Sequence, residues 1–276
     1  MRLRYTQIPP TAFDVVPAPR GEGRVRGNCL CGVMWLLLLP ATLAAQTSTR
    51  SQVAGADTFV SSGQPTSNFG TLGAMEIAAP TTAQPRTENT LLLFDTSALR
   101  AGFDSDFGAG NWMVTSVSLT LHSSVATAGQ QPNNGIFNKI AAGNFELDLL
   151  SDNNWSETSI TWNTLPGILP GNSNTNTLTP LGTFFWPASG SPSSTWALQP
   201  DPTLVDAIAS GCDITILGQP TAGNGVGYLF NTRLNNPSYL NVTVEEVPEP
   251  SVRVCVLGVF CLSLSRWALC SRSQTL

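Results

Sequence analysis

The stretch Val117-Ser118-Leu119-Thr120-Leu121-His122 alternates apolar and polar side chains without a break. Because successive side chains of a strand point to opposite faces, Val117, Leu119 and Leu121 share one face. Similar short segments occur along the chain, separated by turns rich in Gly, Pro, Asn and Ser. The predicted strands are Asp57–Val60, Ala74–Ala79, Asn89–Thr96, Met113–His122, Asn144–Leu150, Thr158–Trp162, Leu181–Trp186, Ser194–Leu198, Asp213–Gly218, Val226–Asn231 and Tyr239–Glu245. This pattern predicts an all-β fold, a two-sheet β-sandwich of jelly-roll type.

One short helix is predicted within the sandwich, over Pro202–Ser210. Asp201 precedes it as a capping residue and Pro202 occupies its first position, where a missing N–H costs nothing. Gly211 follows as the residue that ends it.

The N-terminal 45 residues predict a leader and signal peptide. An apolar block, residues 34–45, ends in small residues and follows Arg20, Arg24 and Arg26. A positive region, a short apolar core and small residues form the secretory pattern, with cleavage expected between Ala44 and Gln46. The block is shorter than the roughly 20 residues of a membrane-spanning helix. The sequence therefore predicts an exported protein.

The C-terminal segment, residues 248–276, predicts a hydrophobic tail. Pro248-Glu249-Pro250 is followed by an apolar run over residues 254–264 and then by Arg266 and Arg272. Such a tail predicts transient contact with a membrane. Residues 46–247 remain as a single domain of about 200 residues, which is long enough for one sizeable β-sandwich.

Charge and cysteine content narrow the class of protein. Residues 47–247 hold fifteen Asp and Glu against five Arg and Lys, a net charge of −10. Such a surface repels phosphate backbones, so we expect no nucleic-acid partner.

Cys212 is the only cysteine between residues 46 and 247, so no disulfide can form inside the domain. Its stability must come from a large core.

The sequence predicts that the protein is not an enzyme, because few of its residues could support catalytic chemistry. His122 is the only histidine, lies opposite the apolar face of its strand and has no accompanying nucleophile motif. Glu146 and Asp148 are two residues apart on a predicted strand and share a face, so a glycan hydrolase or lyase using carboxylates stays an alternative. A solvated strand face is the simpler interpretation. Glu157 is predicted to accept structural hydrogen bonds.

Tryptophans are the candidate sugar-binding residues, because flat aromatic rings stack on sugar rings. Trp155 and Trp162 flank one predicted strand and are expected in the core. Trp186 and Trp196 lie beside Pro- and Ser-rich turns, so we predict them as an exposed sugar platform, with burial as the alternative.

Four aspartates near loops are candidate ligands for a structural calcium ion: Asp57, Asp95, Asp104 and Asp106. Calcium prefers such hard oxygen donors. Asp104 and Asp106 alternate, but the segment lacks the Gly and Glu of a full calcium-loop motif. Unpaired surface acids are the alternative.

Several segments together resemble the DNRLRE, or disaggregatase-related, β-sandwich domains, in the right order over roughly residues 54–246. They are Ala56–Val60 followed by Asn68-Phe69-Gly70, Leu91–Ser97, Val117–Leu121, Trp155–Asn163, Gly225–Asn231 and Pro237–Val244. The tail from Pro248 resembles the PEP-CTERM sorting signal of Gram-negative bacteria, which an exosortase reads. The resemblance implies a non-catalytic domain like a carbohydrate-binding module, located at the cell surface, outer envelope or extracellular matrix.

The leading hypothesis is therefore an exported, non-catalytic protein that binds polysaccharide or an exopolysaccharide matrix. A glycan hydrolase or lyase and a purely structural envelope component are the alternatives. Two carboxylates facing each other across a groove would favour the enzyme, and a flat strip carrying aromatic side chains would favour binding.

Overall fold

The computed structural model describes residues 45–124, 140–171, 175–188 and 193–247. The predicted signal block up to residue 44 and the sorting motif Pro248-Glu249-Pro250 lie outside these ranges, and so does every cysteine except Cys212.

Antiparallel strands build two sheets. One sheet has four strands in the order β1-β11-β5-β8, and the other has the order β10-β3-β4-β9-β6-β7, with β2 also paired to β4. The strands are β1 Thr47–Val53, β2 Ala56–Ser61, β3 Ala74–Ala78, β4 Glu88–Asp95, β5 Trp112–His122, β6 Gly143–Leu150, β7 Leu178–Trp186, β8 Ser193–Leu198, β9 Asp213–Pro220, β10 Gly227–Asn231 and β11 Tyr239–Glu246.

The main core lies between the two sheets. Val117, Leu119 and Leu121 of β5 are buried in one hydrophobic cluster with Ile214 and Ile216 of β9, which belong to the other sheet. The alternation in the sequence therefore selects the inner face, and the predicted all-β sandwich is confirmed.

A second, smaller core lies on the outer face of the seven-stranded sheet. Val60, Leu91 and Leu217 point outward from their strands and are covered by Ile160 and Leu165 of a long connection between β6 and β7. The predicted strand Thr158–Trp162 lies in this connection and is wrong. The N–H groups of residues 159 and 160 bond to the carbonyl of residue 156, so the backbone turns instead of extending. Ser and Thr side chains bonded to nearby backbone favour such turns.

The described residues contain two α-helices, where the sequence predicted one. α2, Pro202–Ser210, has the predicted bounds, and the Asp201 carboxylate accepts a hydrogen bond from the Thr203 N–H at 2.8 Å. α1, Ser97–Phe107, was missed because few apolar residues mark it: only Leu99 and Phe103 are buried.

β1 was missed for a similar reason. None of its side chains is fully buried, and polar residues dominate it. No helix in the described residues is long and apolar enough to cross a membrane.

Candidate functional site

Trp186 and Trp196 lie together, but not as an exposed platform. Trp186 is 3% exposed and stacks on Tyr228 with ring centroids 4.0 Å apart. Trp196 is half-buried and meets Phe145 edge-on at 5.2 Å. Trp186 pairs in register with Gly143, two residues before the inward-facing Phe145, so its ring points into the sandwich. The expectation of an exposed Trp186 is therefore wrong.

This aromatic cluster contains buried polar atoms. No hydrogen bond of ordinary geometry reaches either indole Nε1 or the Tyr228 hydroxyl within the described residues. Burial raises the pKa of Tyr228 to about 12, although the nearby Trp196 and Ser194 side chains act to lower it. The cluster is a feature of the core rather than a surface on which a polymer can lie.

The four candidate calcium ligands do not come together. Asp95 accepts a hydrogen bond from the Ser97 N–H, Asp104 accepts one from the Trp112 indole, and Asp106 forms a bidentate pair with Arg50. Within the described ranges, no group of three or more His, Cys, Asp and Glu side chains could hold a metal ion. The four aspartates therefore form no such group there, and structural calcium stays a prediction for the chain.

Asp57 is buried and belongs to a cluster of polar groups, with Glu157 and the exposed Arg233, that fastens the long β6–β7 connection. Its Oδ2 accepts a hydrogen bond from the backbone N–H of Arg233 at 2.6 Å. Glu157 accepts from the Asp57 N–H at 3.3 Å and from Nε and Nη2 of Arg233 at 3.1 and 2.5 Å. The prediction of a structural acceptor role for Glu157 is confirmed.

The segment Asn68-Phe69-Gly70 completes this attachment. The Asn68 amide donates to the carbonyls of Glu157 and Ile160, both at 2.8 Å. A side chain at Gly70 would overlap the backbone of Glu157. These contacts hold the Trp155–Trp162 region against the sheet, so the segments that carried the resemblance have a structural role.

A different region, on the outer face of strands β7, β6 and β9, presents an aromatic ring to solvent. Phe185 is 57% exposed, and its register partner on β6 is Asn144. One step along, Thr183 pairs with Glu146, and Glu146 pairs with Gln219 of β9. We call this surface the Phe185 strip; its members are Asn144, Glu146, Asp148, Thr183, Phe185 and Gln219.

One amide group links the carboxylates of the strip. Gln219 Nε2 donates to Glu146 Oε1 at 2.8 Å and to Asp148 Oδ2 at 3.0 Å. Asp148 is only 5% exposed, and burial, with a further contribution from the Glu146 charge, raises its pKa to about 6, while Gln219 lowers it. The carboxylates of Glu146 and Asp148 therefore lie side by side where water reaches them only in part.

No arginine of the described residues neutralises the strip. Each of the four forms an ion pair elsewhere: Arg50 with Asp106, Arg86 with Glu88, Arg100 with Asp104 and Arg233 with Glu157. The carboxylates of Glu146 and Asp148 thus have an amide as their polar partner and no guanidinium.

This arrangement suits binding better than bond cleavage. A sugar ring stacks on an exposed aromatic face, while acceptors beside it hold the hydroxyl groups. Glycoside hydrolysis instead needs two carboxyl groups on opposite sides of the scissile bond. Glu146 and Asp148 lie side by side on one strand and share one amide, so they do not provide that geometry.

Sequence reasoning missed Phe185 because three aromatic residues follow one another at 184–186. In such a run the period of two does not say which side chains face outward. The partner strand decides it: Phe145 faces inward and pairs with Phe184, so Phe185 must face outward. The shared face of Glu146 and Asp148, in contrast, was visible from their spacing.

Comparison with known proteins gives one family match. The model of carbohydrate-binding module family 96 matches residues 48–186, which run from β1 to the end of β7. A search of curated proteins found no match. The matched range contains every member of the Phe185 strip except Gln219.

Solved structures add only remote similarity. The VP1 protein of Trichodysplasia spinulosa-associated polyomavirus is 9% identical, with 76% of this chain and 98% of that chain covered and a TM-score of 0.23. The same viral protein in complex with GM1 oligosaccharide is 11% identical, with 75% and 97% covered and a TM-score of 0.21. At such TM-scores the likeness carries no argument about fold or ligand.

Proposed function

Because the chain belongs to carbohydrate-binding module family 96, we propose that it binds polysaccharide without catalysis and that the Phe185 strip is the contact surface. The strip lies on hydrogen-bonded strands of a sandwich, so the backbone that carries its side chains is held in place before a ligand arrives. Preorganised groups lose little conformational freedom on binding, which favours affinity.

The observation that carries this proposal is the exposure of Phe185 beside hydrogen-bonding side chains. Four other large apolar residues in the described ranges are also exposed, but none of them is aromatic. Phe185 neighbours Thr183 on its own strand face and Asn144 and Glu146 on β6. An aromatic ring bordered by polar groups is the usual composition of a sugar-binding surface.

Substitution of Phe185 tests the proposal. We expect Phe185→Ala to reduce retention on insoluble polysaccharides at least tenfold while leaving the unfolding midpoint nearly unchanged, because an exposed ring contributes little to the core. Met113→Ala is the matched control, since Met113 is 56% exposed on the other sheet. Its retention should equal that of the parent.

Two results would contradict the proposal. One is equal retention by the parent and by Phe185→Ala, which would move the contact surface elsewhere. The other is the absence of retention by the parent on a broad panel of polysaccharides. A purely structural envelope component would then be the better description.

We also propose that the protein is exported and acts at the cell surface or in the extracellular matrix. The support is the secretory pattern before residue 46 and the Pro248-Glu249-Pro250 motif with its apolar run, which resembles a signal read by an exosortase. Transient membrane contact through this run would hold the chain until it is processed. Mass spectrometry of the native protein should find both ends trimmed, and secreted material that retains residue 1 would contradict export through this signal.

A further inference from the structure

The first and last strands of the domain meet at one end of the four-stranded sheet. The Gln46 carbonyl accepts a hydrogen bond from the Glu246 N–H at 2.9 Å, and the Asn111 carbonyl accepts one from the Val247 N–H, also at 2.9 Å. We call the region defined by these four residues the β1–β11 end. The segments before residue 46 and after residue 247 therefore both join the domain here.

Both α-helices lie at the β1–β11 end as well. α1 is fastened to the start of β1, because Asp106 accepts a hydrogen bond from Ser48 Oγ at 2.9 Å. α2 lies next to α1, since Arg100 donates to the Ser210 carbonyl at 3.0 Å. The exposed Cys212 comes directly after the helix end and directly before β9. β9 therefore begins at the β1–β11 end and runs away from it.

Phe185 lies toward the opposite end of the seven-stranded sheet. β9 has eight residues, and its last residue, Pro220, pairs with Phe145 of β6. The residue before Phe145, Asn144, is the register partner of Phe185. At about 3.3 Å for each residue, β9 carries the chain about 23 Å from the β1–β11 end to the level of Phe185.

The four-stranded sheet leads to the same conclusion. β5 has eleven residues and begins with Trp112, which pairs with Glu246 at the β1–β11 end. Beyond its last residue, Ser123 and Ala141 both bridge to β10, and β6 begins two residues after Ala141. The far end of β5 therefore meets the start of β6, close to Phe185. Along β5 the two ends of the domain are about 33 Å apart.

The sequence after Val247 provides only a short tether. Six residues, 248–253, separate Val247 from the apolar run over residues 254–264. A chain of six residues reaches about 20 Å at most when fully extended. This reach is shorter than the length of β5, so the tether does not allow the opposite end to turn toward a surface that holds the apolar run.

We propose that the protein, held at the cell surface by its C-terminal tail, lies with its β1–β11 end toward that surface and presents the Phe185 strip outward. The inference rests on the proposed function, because it assigns the orientation in which the same strip meets polysaccharide. A polymer in the surrounding matrix then reaches Phe185 without entering the space next to the membrane. Attachment and binding occupy opposite ends of the domain, so neither blocks the other.

Energy transfer to a membrane tests this orientation. The sample is the full chain in phosphatidylcholine vesicles that contain an acceptor-labelled lipid, with Ser replacing every cysteine outside residues 46–247. One protein carries a donor dye on Cys212, which is exposed at the β1–β11 end. In the other, Cys212→Ser is combined with Gly225→Cys, and the dye is attached at residue 225.

Residue 225 marks the opposite end of the domain. The side chain of the preceding residue, Asn224, accepts from the Asn144 N–H at 3.4 Å, and the space around Gly225 is open. Ala222→Cys, at an exposed position of the same loop, provides a second labelling site there. Unfolding midpoints equal to that of the parent check that each labelled variant is folded.

We expect transfer from Cys212 to exceed transfer from residues 222 and 225 about twofold or more, because energy transfer falls steeply with distance. Equal transfer from both ends would mean that the domain lies on its side, and stronger transfer from residues 222 and 225 would mean that it is reversed. Either result would overturn the inference. So would the absence of transfer from all sites, because the tail would then not hold the protein at the membrane.

Polysaccharide retention by the vesicle-bound proteins distinguishes this inference from the proposed function. If Phe185→Ala abolishes retention while the labels at the two ends transfer equally, the proposed function stands and the inference fails. If the labels differ as expected but Phe185→Ala retains as much polysaccharide as the parent, the proposed function fails although the orientation is as inferred.

Discussion

Asp57 offers a direct test of how the fold is held, because its carboxyl group is buried. Burial is the main cause that raises its pKa to about 7 from the ordinary value of 3.8. The Glu157 carboxylate also raises it, while the Arg233 backbone N–H and guanidinium act in the opposite direction. Near neutral pH this group therefore holds a proton that an unfolded chain would release.

The sign and size of the effect follow from this difference. Between about pH 4 and pH 7 the folded state binds more protons at Asp57 than the unfolded state, so stability falls as the pH rises. The stabilisation is fully present below the unfolded pKa and is lost as the pH passes through about 7. At 1.36 kcal/mol for each pKa unit, the total change is roughly 4 kcal/mol.

Asp57→Asn should remove this dependence. An asparagine amide resembles the protonated acid: its oxygen can accept from Arg233 N–H, and its NH₂ can donate to Glu157. We expect the variant to be about as stable as the parent near pH 4 and more stable, by a few kcal/mol, near pH 8. The free energy of unfolding in urea across this range measures the difference.

Asp206→Asn is the control for loss of one carboxylate, because Asp206 is exposed on α2. A constant stability difference between Asp57→Asn and the parent across the pH range would refute the reasoning. The reasoning would also be refuted if the parent's free energy of unfolding increased relative to that of Asp57→Asn as the pH rises.

Further predictions concern packing, redox state and metal. Gly70→Ala should destabilise the domain by about 1–3 kcal/mol through overlap with the Glu157 backbone, whereas Gly225→Ala, with open space around it, should have little effect. Trp186→Ala should cost about 3–5 kcal/mol by leaving a cavity, and a midpoint unchanged in that variant would contradict its burial. Reductant should not alter the unfolding midpoint, since Cys212 is a free, exposed thiol. If structural calcium binds, a chelator should lower the midpoint, and an unchanged midpoint would count against it.

The sequence predicted the inner face of the sandwich better than the rest of the fold. Val117, Leu119 and Leu121 alternate strictly with polar residues, so the period of two was unambiguous. α2 was equally clear because Asp201 and Gly211 mark its two ends. Local chemistry and tertiary packing agree at these places, which is why single-sequence reasoning succeeded there.

Elsewhere the deciding contacts lie far apart in the chain. The Thr158–Trp162 segment has strand-forming residues, but Asn68 holds its backbone in a turned path from about ninety residues away. Trp186 lies near a Ser- and Pro-rich turn that suggested exposure, yet Tyr228 covers it. Phe185 became recognisable as a surface residue only when the register with β6 was known.

The most direct test that the Phe185 strip binds sugar is residue-resolved NMR of the domain during titration with an oligosaccharide that it binds. We predict that amide shifts will change at residues 144–148, 183–185 and 219, and that the outer face of the four-stranded sheet will stay unchanged. Shifts confined to that other face, or to the cluster of Trp186, Trp196 and Tyr228, would contradict the assignment of the Phe185 strip as the sugar-binding surface.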